Sequence, residues 1–363
     1  MSVKAKGKTS LKDVARSLGV SPATVSNAFN RPDQLSPELR ERILQTARSL
    51  GYSPDPLARG LRRGRAGAVG VLYADRLRYT FADPVAGLFM QGLGQVVEEA
   101  NLGMLLVPKR INQESLVAQA AVDGFVVYSI PNNSPTIQTV LARRLPTVVV
   151  DYPPIEGLPA VNVDDFGGAR QAAQHLLELG HRRIGVVSLE YTVDAKGGFA
   201  SLERQSIPQH TAVVNRLDGY RSALEAAGLD WAQVPVWEVA ENLIEEGERG
   251  GLAMLELSPR PTALLCMSDQ VAFGVYQACR ARGIRIPEDL SVVGFDDIPE
   301  TARTAPPLTT IHQPLLDKGL WAGRLLMAAI RGEPLELSGL LPTRLVVRGS
   351  TARPEEGVGQ PNR

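Results

Sequence analysis

Cysteine and histidine are scarce in this chain of 363 residues, which contains two cysteines and four histidines. Cys266 lies in an apolar run and Cys279 in a helical pattern, so we expect two buried thiols and neither a disulfide nor a metal site. The histidines are dispersed, and none pairs at the spacing of metal ligands: His175, His181, His210 and His312. We therefore expect no metal and no cofactor.

Long apolar runs are also missing. No stretch of about 18 apolar residues occurs, so the sequence predicts no membrane-spanning helix and no membrane partner. The basic start MSVKAKGKTS is followed by the charged segment LKDVARSLG where a signal peptide would have an apolar core, so we expect a cytoplasmic protein.

Signatures of catalysis are absent as well. No glycine-rich loop ends in Gly-Lys-Ser/Thr, and Gly92 and Gly94 lie inside a helical pattern without the third glycine of a dinucleotide fingerprint. We expect no catalytic residues and no enzyme activity.

Charge is distributed unevenly along the chain. The net charge is zero, but residues 1–66 carry 13 basic and 5 acidic residues (net +8), and the remainder carries 26 basic and 34 acidic residues (net −8). A basic head on an acidic body suits a head that contacts a polyanion. A solvated charged surface would explain the charge equally well.

Residues 1–51 predict a small helical head. Ser10 and Asp13 form a capping-box pattern before a helix that Gly19 ends, and Ser-Pro pairs at 21–22 and 36–37 each open another helix. Apolar residues at helical spacing complete the pattern: Leu11, Val14, Ala15, Leu18, Val25, Ala28, Phe29, Leu39, Ile43, Ala47 and Leu50.

The first two helices have the spacing of a helix-turn-helix. Ala15 allows close approach, Gly19 makes the turn, and Val25 packs between the helices. A plain helical hairpin fits the spacing about as well. In a helix-turn-helix, the second helix would turn base-reading residues outward and bind phosphate at its N-terminus. The outward residues are Pro22, Ala23, Ser26 and Asn27, and the N-terminal ones are Ser21 and Thr24.

Residues 52–66 form a connector with two prolines and four arginines. Its helix-forming part, Leu57 to Leu61, is too short to be stable alone, so we expect it to order only on a partner. The polar tail at 350–363 has no heptads, and we expect it to be disordered.

Residues 67–349 alternate short apolar runs with helical patterns, and the alternation occurs in two series. Repeated β-α-β units predict α/β architecture with parallel sheets and helices on both faces. Two series predict two similar lobes, with a ligand at the carboxyl ends of the strands in the cleft between them.

The whole string resembles the LacI/GalR family of bacterial regulators. The head markers are DVA, GVS, TVS, Asn30, GY-x-P and Ala58-Arg59-x-Leu61. The body markers include VNVDDFGGARQAAQHLLELGHRRIGVV, Arg216-x-x-Gly219, ALLCMSDQVAFGVYQACRARGIRIPEDLSVVGFDD and PPLTTIHQP. The resemblance covers nearly the full chain and implies a two-lobed domain like that of the periplasmic binding proteins.

For the head, the resemblance implies that the second helix lies in the major groove and that the connector becomes a hinge helix on specific DNA. Leu61 matches the leucine wedged into the minor groove, with Ala58 and Arg59 beside it. Leu11 and Asn30 complete the expected set of DNA contacts. Many members carry arginine where this chain has Asn27, which puts the outer bases of the half-site in doubt.

For the effector site, the residues alone give weaker indications. Asp269 follows an apolar run, where a carboxylate can accept hydroxyl donors, although an N-cap explains it at least as well. The resemblance implies effector contacts at Asp269 and Arg216, and a surface ion pair is the ordinary alternative for Arg216. Further expected cleft residues are Tyr73, Tyr79, Phe81, Asp83, Phe166 and Asn242, and packing within the loop is the ordinary alternative for the first four. Asp296 could instead serve contacts between the lobes.

Together these observations predict a homodimeric repressor that binds a pseudo-palindromic, double-stranded operator and responds to a small molecule, which we expect to be a sugar. A corepressor-type regulator, a solute-binding protein and an α/β enzyme are the alternatives, and neither of the last two explains residues 10–61. The segment 190–215 is long for the family. It either covers the cleft or forms a surface loop.

Overall fold

The computed structural model describes residues 9–52, 65–73, 77–107, 113–334 and 338–355. The chain divides into two compact units, Met1–Gly67 and Ala68–Arg363. The predicted hinge residues Ala58, Arg59 and Leu61 lie outside the described residues.

The first unit contains three helices, α1 (Leu11–Leu18), α2 (Pro22–Asn30) and α3 (Pro37–Ser49), with a 3-10 turn at Pro32–Gln34. Their N-termini are capped as the sequence predicts. The carboxylate of Asp13 accepts the N–H of Ser10 at 2.9 Å, and the hydroxyls of Ser21 and Ser36 accept N–H groups of α2 and α3. A small core holds the helices together: Val14, Ala15, Val25, Ala28, Ile43 and Ala47.

The second unit alternates strands and helices. Its first part contains β1 (Ala68–Tyr73), α4 (Leu77–Thr80), α5 (Pro84–Glu99), β2 (Gly103–Val107), α6 (Gln113–Gln119), β3 (Phe125–Tyr128), α7 (Thr136–Ala142), β4 (Thr147–Val150) and β5 (Ala160–Val163). Its middle part contains α8 (Asp165–Glu178), β6 (Ile184–Ser188), β7 (Gly198–Phe199), α9 (Leu202–Gln205), α10 (Thr211–Ala226), β8 (Val236–Glu238), α11 (Ile244–Leu255), β9 (Ala263–Cys266), α12 (Asp269–Arg282), β10 (Ser291–Asp296) and β11 (Thr309–His312). The last elements are α13 (Leu315–Arg331), β12 (Ser338–Leu341) and β13 (Arg344–Val346).

The strands form two sheets, one for each lobe. The N-lobe sheet has the order β12-β5-β4-β3-β1-β2 and is parallel throughout its described pairs. The C-lobe sheet has the order β13-β11-β10-β9-β6-β8-β7, with β13 and β7 antiparallel at its two edges. Separate apolar clusters cover the two faces of each sheet, so the predicted α/β class with helices on both faces is confirmed.

The two lobes are built from interleaved stretches of chain. The chain enters the C-lobe after β5, returns to the N-lobe in α13, and leaves again between β12 and β13. The carboxyl ends of the parallel strands of both sheets meet at a cleft between the lobes, where open α/β sheets bind their ligands.

Some expected boundaries were wrong. The helical pattern that ends at Ala227 predicts a helix from Asp218, but α10 begins at Thr211, because its buried stripe extends back to Val213. The helix α13 was not predicted. We expected disorder from residue 350, but Ser350 is fully buried and its carbonyl accepts the N–H of Val292, and the N–H of Ala352 donates to the hydroxyl of Ser291. In the described part of the chain, no helix is both long and apolar enough to cross a membrane.

Candidate functional site

The turn between α1 and α2 has the geometry that a helix-turn-helix needs. Gly19 adopts φ 66°, a left-handed conformation that favours glycine, and the N–H of Val20 returns to the carbonyl of Ala15 at 3.1 Å. Ala15 and Val25 are buried between the helices. The three residues singled out from the sequence therefore make the contact between α1 and α2.

The N-terminus of α2 is presented to solvent. Ser21, Pro22 and Ala23 are exposed, and Thr24 is half-buried. The hydroxyl of Ser21 accepts the N–H of Thr24 at 3.0 Å, and Pro22 carries no N–H, so within the first turn of α2 the N–H of Ala23 remains for an anion such as a DNA phosphate.

The remaining predicted DNA contacts in the head have partners of their own. The amide of Asn27 donates to Gln34 at 3.1 Å, and the amide of Asn30 donates to the carbonyl of Ser26 at 2.9 Å. Leu11 is half-buried against the core of the head. The bond to Gln34 fixes the direction of the Asn27 amide beside the exposed start of α2.

The cleft between the lobes forms a cavity of about 720 Å³, open mouth included. Its walls combine carboxylates, two cationic groups and tyrosines from the ends of strands in both sheets. The lining residues are Tyr73, Tyr79, Asp83, Val85, Tyr128, Ser129, Asp151, Leu189, Glu190, His210, Ala212, Val213, Arg216, Asn242, Ser268, Asp296, Gln313 and Lys318.

Asp83 is one of the predicted residues that reach this cavity. It caps α5, since its carboxylate accepts the N–H of Val85 at 3.0 Å, and it also accepts the hydroxyl of Tyr73 at 3.3 Å. Across the cleft, the amide of Gln270 donates to it at 3.3 Å, which joins the two lobes. Burial raises the pKa of Asp83, and the backbone hydrogen bonds partly oppose that rise.

The N-lobe wall carries a buried ion pair that the sequence did not indicate. The ammonium of Lys318 lies 2.6 Å from Oδ2 of Asp151, and the two side chains are 2% and 9% exposed. Asp151 follows β4 and adopts φ 50°, as Ser129 after β3 adopts φ 49°. Oδ1 of Asp151 is buried and has no hydrogen-bond partner among the described residues. An acceptor at the cavity wall is therefore ready for a donor.

The C-lobe wall is organised around Arg216. Its guanidinium lies 2.8 Å from Asp165 and 3.8 Å from Asp296, donates to the carbonyl of Met267, and stacks 3.7 Å from the ring centroid of Phe295. Burial disfavours the charge of Arg216, yet the two carboxylates hold its pKa above the usual value. Arg216 is thus buried at the cavity wall and paired with two buried carboxylates. The alternative reading of Arg216 as part of a surface ion pair does not fit this position.

Asp296 shares this wall. Burial raises its pKa to about 7, although Arg216 opposes the rise. The amide of Gln313 donates to its Oδ1 at 2.6 Å. Asp296 therefore lines the cavity, whereas the sequence suggested a role in contacts between the lobes.

Asp269 does not line the cavity. Ser268 is the N-cap of α12, and Asp269 is its first residue, fully buried beneath the sheet. Its two oxygens accept the hydroxyl of Thr310 at 2.6 Å and the N–H of Ile298 at 3.0 Å. Burial raises its pKa well above the usual value. In this conformation the carboxyl ties α12 to β11 and has no free oxygen for a ligand.

The other predicted cleft residues divide into two groups. Tyr73, Tyr79 and Asn242 line the cavity, and Asn242 accepts the hydroxyl of Ser268 at 2.6 Å. Phe81 is 76% exposed and Phe166 40% exposed, and neither belongs to the cavity lining.

Several lining residues were missed, among them Tyr128, Asp151, Glu190, His210 and Lys318. A signal for two of them was present, because Tyr128 ends and Asp151 follows apolar runs at the carboxyl ends of neighbouring strands. Lys318 could not be found in this way, since α13 was not predicted. Among the described residues, no three His, Cys, Asp or Glu side chains are arranged to hold a metal ion.

Comparisons with known proteins agree with this geometry. Residues 10–55 match the model of the bacterial regulatory proteins of the lacI family, and residues 173–351 match a periplasmic binding protein-like domain. An HTH-type transcriptional regulator of Mycobacterium tuberculosis is 42% identical over 361 residues, covering 98% of this chain and 99% of the relative.

Solved structures give the same result. A LacI-family regulator of Corynebacterium glutamicum superposes with a TM-score of 0.73 and 34% identity, covering 96% of this chain and 99% of that one. The regulator CelR in complex with cellobiose superposes with a TM-score of 0.69 and 30% identity, covering 94% and 99%. With a helix-turn-helix head, a two-lobed body and relatives matched from end to end, the chain belongs to the LacI family of DNA-binding transcriptional regulators.

Proposed function

We propose that this regulator is a homodimeric repressor of a pseudo-palindromic operator and that a neutral sugar in the cleft releases it. It acts in the cytoplasm, at the nucleoid. Two heads related by a twofold axis would match the symmetry of such an operator. The exposed residues Ser21, Pro22 and Ala23 would meet the major groove.

The observation that carries the sugar assignment is the pairing of acceptors and donors in the cavity. Asp151 and Asp296 can accept hydroxyl donors, and Arg216 and Lys318 are cations whose partners already neutralise them. Tyr73, one of the tyrosines of the lining, can pack against an apolar face of a sugar ring. The lining carries more carboxyl groups than cations, and both cations are already paired, so the site offers acceptors for hydroxyl groups and no unpaired cation for an anion. Such a site suits a neutral polyhydroxylated ligand, as the cellobiose complex of CelR illustrates for that protein.

The DNA part is tested by selecting duplexes from a random pool with the full-length protein at one near-physiological salt concentration. We expect enrichment of a pseudo-palindrome. Ala23→Glu should abolish the enrichment, because it places a negative charge at the exposed start of α2. Gln45→Glu, which adds the same charge at an exposed position of α3, is the matched control. Uniform, salt-sensitive binding with no enriched motif would contradict operator recognition.

The effector part uses the selected operator as a probe. Cellobiose and a panel of neutral mono- and disaccharides are added to the protein–operator complex, and release is measured by fluorescence anisotropy. Release by a sugar supports the proposal. Tighter binding with a sugar would instead make the protein a corepressor-type regulator, and a response confined to charged metabolites would contradict the sugar assignment.

A further inference from the structure

The segment 190–210 leaves the C-lobe after β6 and returns to it at α10, with its two ends joined. The N–H of Gln209 donates to the carbonyl of Tyr191 at 2.7 Å, so the segment is a closed loop. Leu189 and Glu190 at its start and His210 at its end line the effector cavity. The loop therefore begins and ends at the rim of the cleft.

The loop is firmly attached to the C-lobe. Arg204 of α9 donates to both carboxylate oxygens of Glu238 in β8 at 2.7 Å, and it also binds Asp194 within the loop at 2.8 Å. Glu238 also accepts the N–H of Tyr191 at 2.7 Å, and it is buried. A bidentate, partly buried ion pair of this kind holds a defined geometry.

Two further contacts reinforce the attachment. The strand β7 pairs with β8 at the edge of the C-lobe sheet, and the ring of Phe199 packs edge-on to Trp237 with centroids 5.1 Å apart. The indole N–H of Trp231 donates to Gln205 at 2.8 Å. The loop thus belongs structurally to the C-lobe.

The same loop, with the first residue of α10 that follows it, bonds Asn132 of the N-lobe. The N–H of Asn132, four residues after the end of β3, donates to the carbonyl of Gln209 at 2.6 Å. The hydroxyl of Thr211 donates to Oδ1 of Asn132 at 3.0 Å. Within the N-lobe, the hydroxyl of Tyr152 donates to the carbonyl of Asn132 at 2.9 Å and holds that residue in place.

We propose that the segment 190–210 is a strap, carried by the C-lobe, that closes over the effector cleft by latching onto Asn132. The strap is fixed on one lobe and Asn132 on the other. The hydrogen bonds between them therefore form only when the two lobes are close together. The strap thereby couples occupancy of the cleft to the angle between the lobes. The role of the cleft as effector site rests on the proposed function, whereas the latch itself does not.

The latch is tested without any ligand, by hydrogen exchange of the full-length protein, followed on peptides that span residues 129–134. Thr211→Val removes the hydroxyl and keeps the branched shape, and Thr211→Ser keeps the hydroxyl. Ser206→Ala removes a strap hydroxyl that, among the residues the structure describes, donates to the carbonyl of Glu203 within the strap. We expect the amide of Asn132 to exchange about 2- to 10-fold faster in Thr211→Val, the effect of losing one hydrogen bond.

The two control variants, Thr211→Ser and Ser206→Ala, should exchange like the parent chain. Unchanged exchange in Thr211→Val would overturn the latch and make the segment an ordinary surface loop. Equal acceleration in Ser206→Ala would also overturn it, because the effect would then come from general loosening of the strap. Neither result depends on the nature of the effector, so failure of the latch is distinguishable from failure of the sugar assignment.

Discussion

Burial decides the behaviour of the charged residues around the cleft. Lys318 and Asp151 form an ion pair that is almost fully excluded from solvent, and the ammonium lies 5.4 Å from the ring centroid of Tyr128. Removing one partner from such a pair leaves an uncompensated charge in a medium that solvates it poorly. Removing one partner of this pair should therefore destabilise the protein far more than removing one partner of an exposed surface pair.

Lys318→Met tests this expectation. We expect the free energy of unfolding to fall by about 3–5 kcal/mol, because Asp151 loses its counter-ion while the packing is kept. Urea denaturation followed by circular dichroism measures the change.

Arg282→Met provides the control. Arg282 pairs with Glu256 at 2.7 Å, but both side chains are more than half exposed, so its loss should cost less than about 1 kcal/mol. Equal losses of unfolding free energy in the two variants would show that breaking the buried pair costs no more than breaking an exposed one.

Position after a strand was the main local indication of a cleft residue in the sequence, and the family resemblance supplied the rest. Asp83 was expected from the segment after β1 and Arg216, inside α10, from the resemblance; both line the cavity, and their contact with an effector stays a prediction. Asp269 was also singled out, but the sequence could not predict where its carboxylate points. A carboxylate that contacts a ligand and one that binds neighbouring elements give the same sequence pattern after a strand. Gly294 in β10 leaves space for the Asp269 carboxylate, a relation between distant residues that no local pattern reveals.

At the scale of elements, glycines set how closely the helices approach. A Cβ on Gly92 of α5 would collide with the backbone of α13 at Leu316 and Leu320, and one on Gly319 of α13 would collide with the backbone of α5 at Phe89. The two helices cross at these glycines, and together they cover one face of the N-lobe sheet. The sequence showed Gly92 and Gly94 only as glycines in a helical pattern.

These two glycines of α5 give opposite predictions. Gly92→Ala should lower the free energy of unfolding by about 1–3 kcal/mol or more, because the backbones must separate to admit a methyl group. Gly94→Ala meets open space and should stabilise the protein by about 1 kcal/mol, since alanine favours helix over glycine.

Thermal unfolding of the two variants beside the parent chain measures both effects. A loss of stability in Gly94→Ala as large as in Gly92→Ala would show that the helix tolerates no substitution there, and the crossing would then not be the cause.

The helices of the head were predictable because capping residues and apolar residues at helical spacing indicate the same boundaries, as at Ser21 before α2. The body was harder. The start of α10 at Thr211 was missed because His210 forms no side-chain cap, and α13 was missed because it lies beyond the last clear β-α repeat.

At the scale of the whole molecule, the regulator must connect its head to its body. The charge separation between residues 1–66 and the rest predicts that the head carries the contacts with DNA and that the acidic body is repelled by it. The connector between them contains Leu61, for which the family resemblance implies insertion into the minor groove.

Leu61→Ala should weaken binding to the selected operator by at least about tenfold and change binding to random DNA little. A leucine inserted at a defined base-pair step stabilises the complex with the specific operator, whereas contacts with phosphates stabilise complexes with any DNA sequence. The slope of log affinity against log salt should stay the same, because no phosphate contact is removed.

Titrations of labelled operator and of random duplex at several salt concentrations measure both quantities. Leu105→Ala, a substitution at a partly exposed leucine of β2, serves as the control. Equal weakening on the two DNAs would contradict the wedge.

The attachment of the strap at adjacent points has a consequence for how this regulator can diversify. Its ends are joined by the bond between Tyr191 and Gln209, so residues added or removed outside β7 and Arg204 change mainly loop closure, which depends weakly on length. The pairing of β7 with β8 and of Arg204 with Glu238 is kept when only those other positions change. A lineage could therefore acquire a response to a new effector by changing these loop positions while its operator and its dimer partner stay the same.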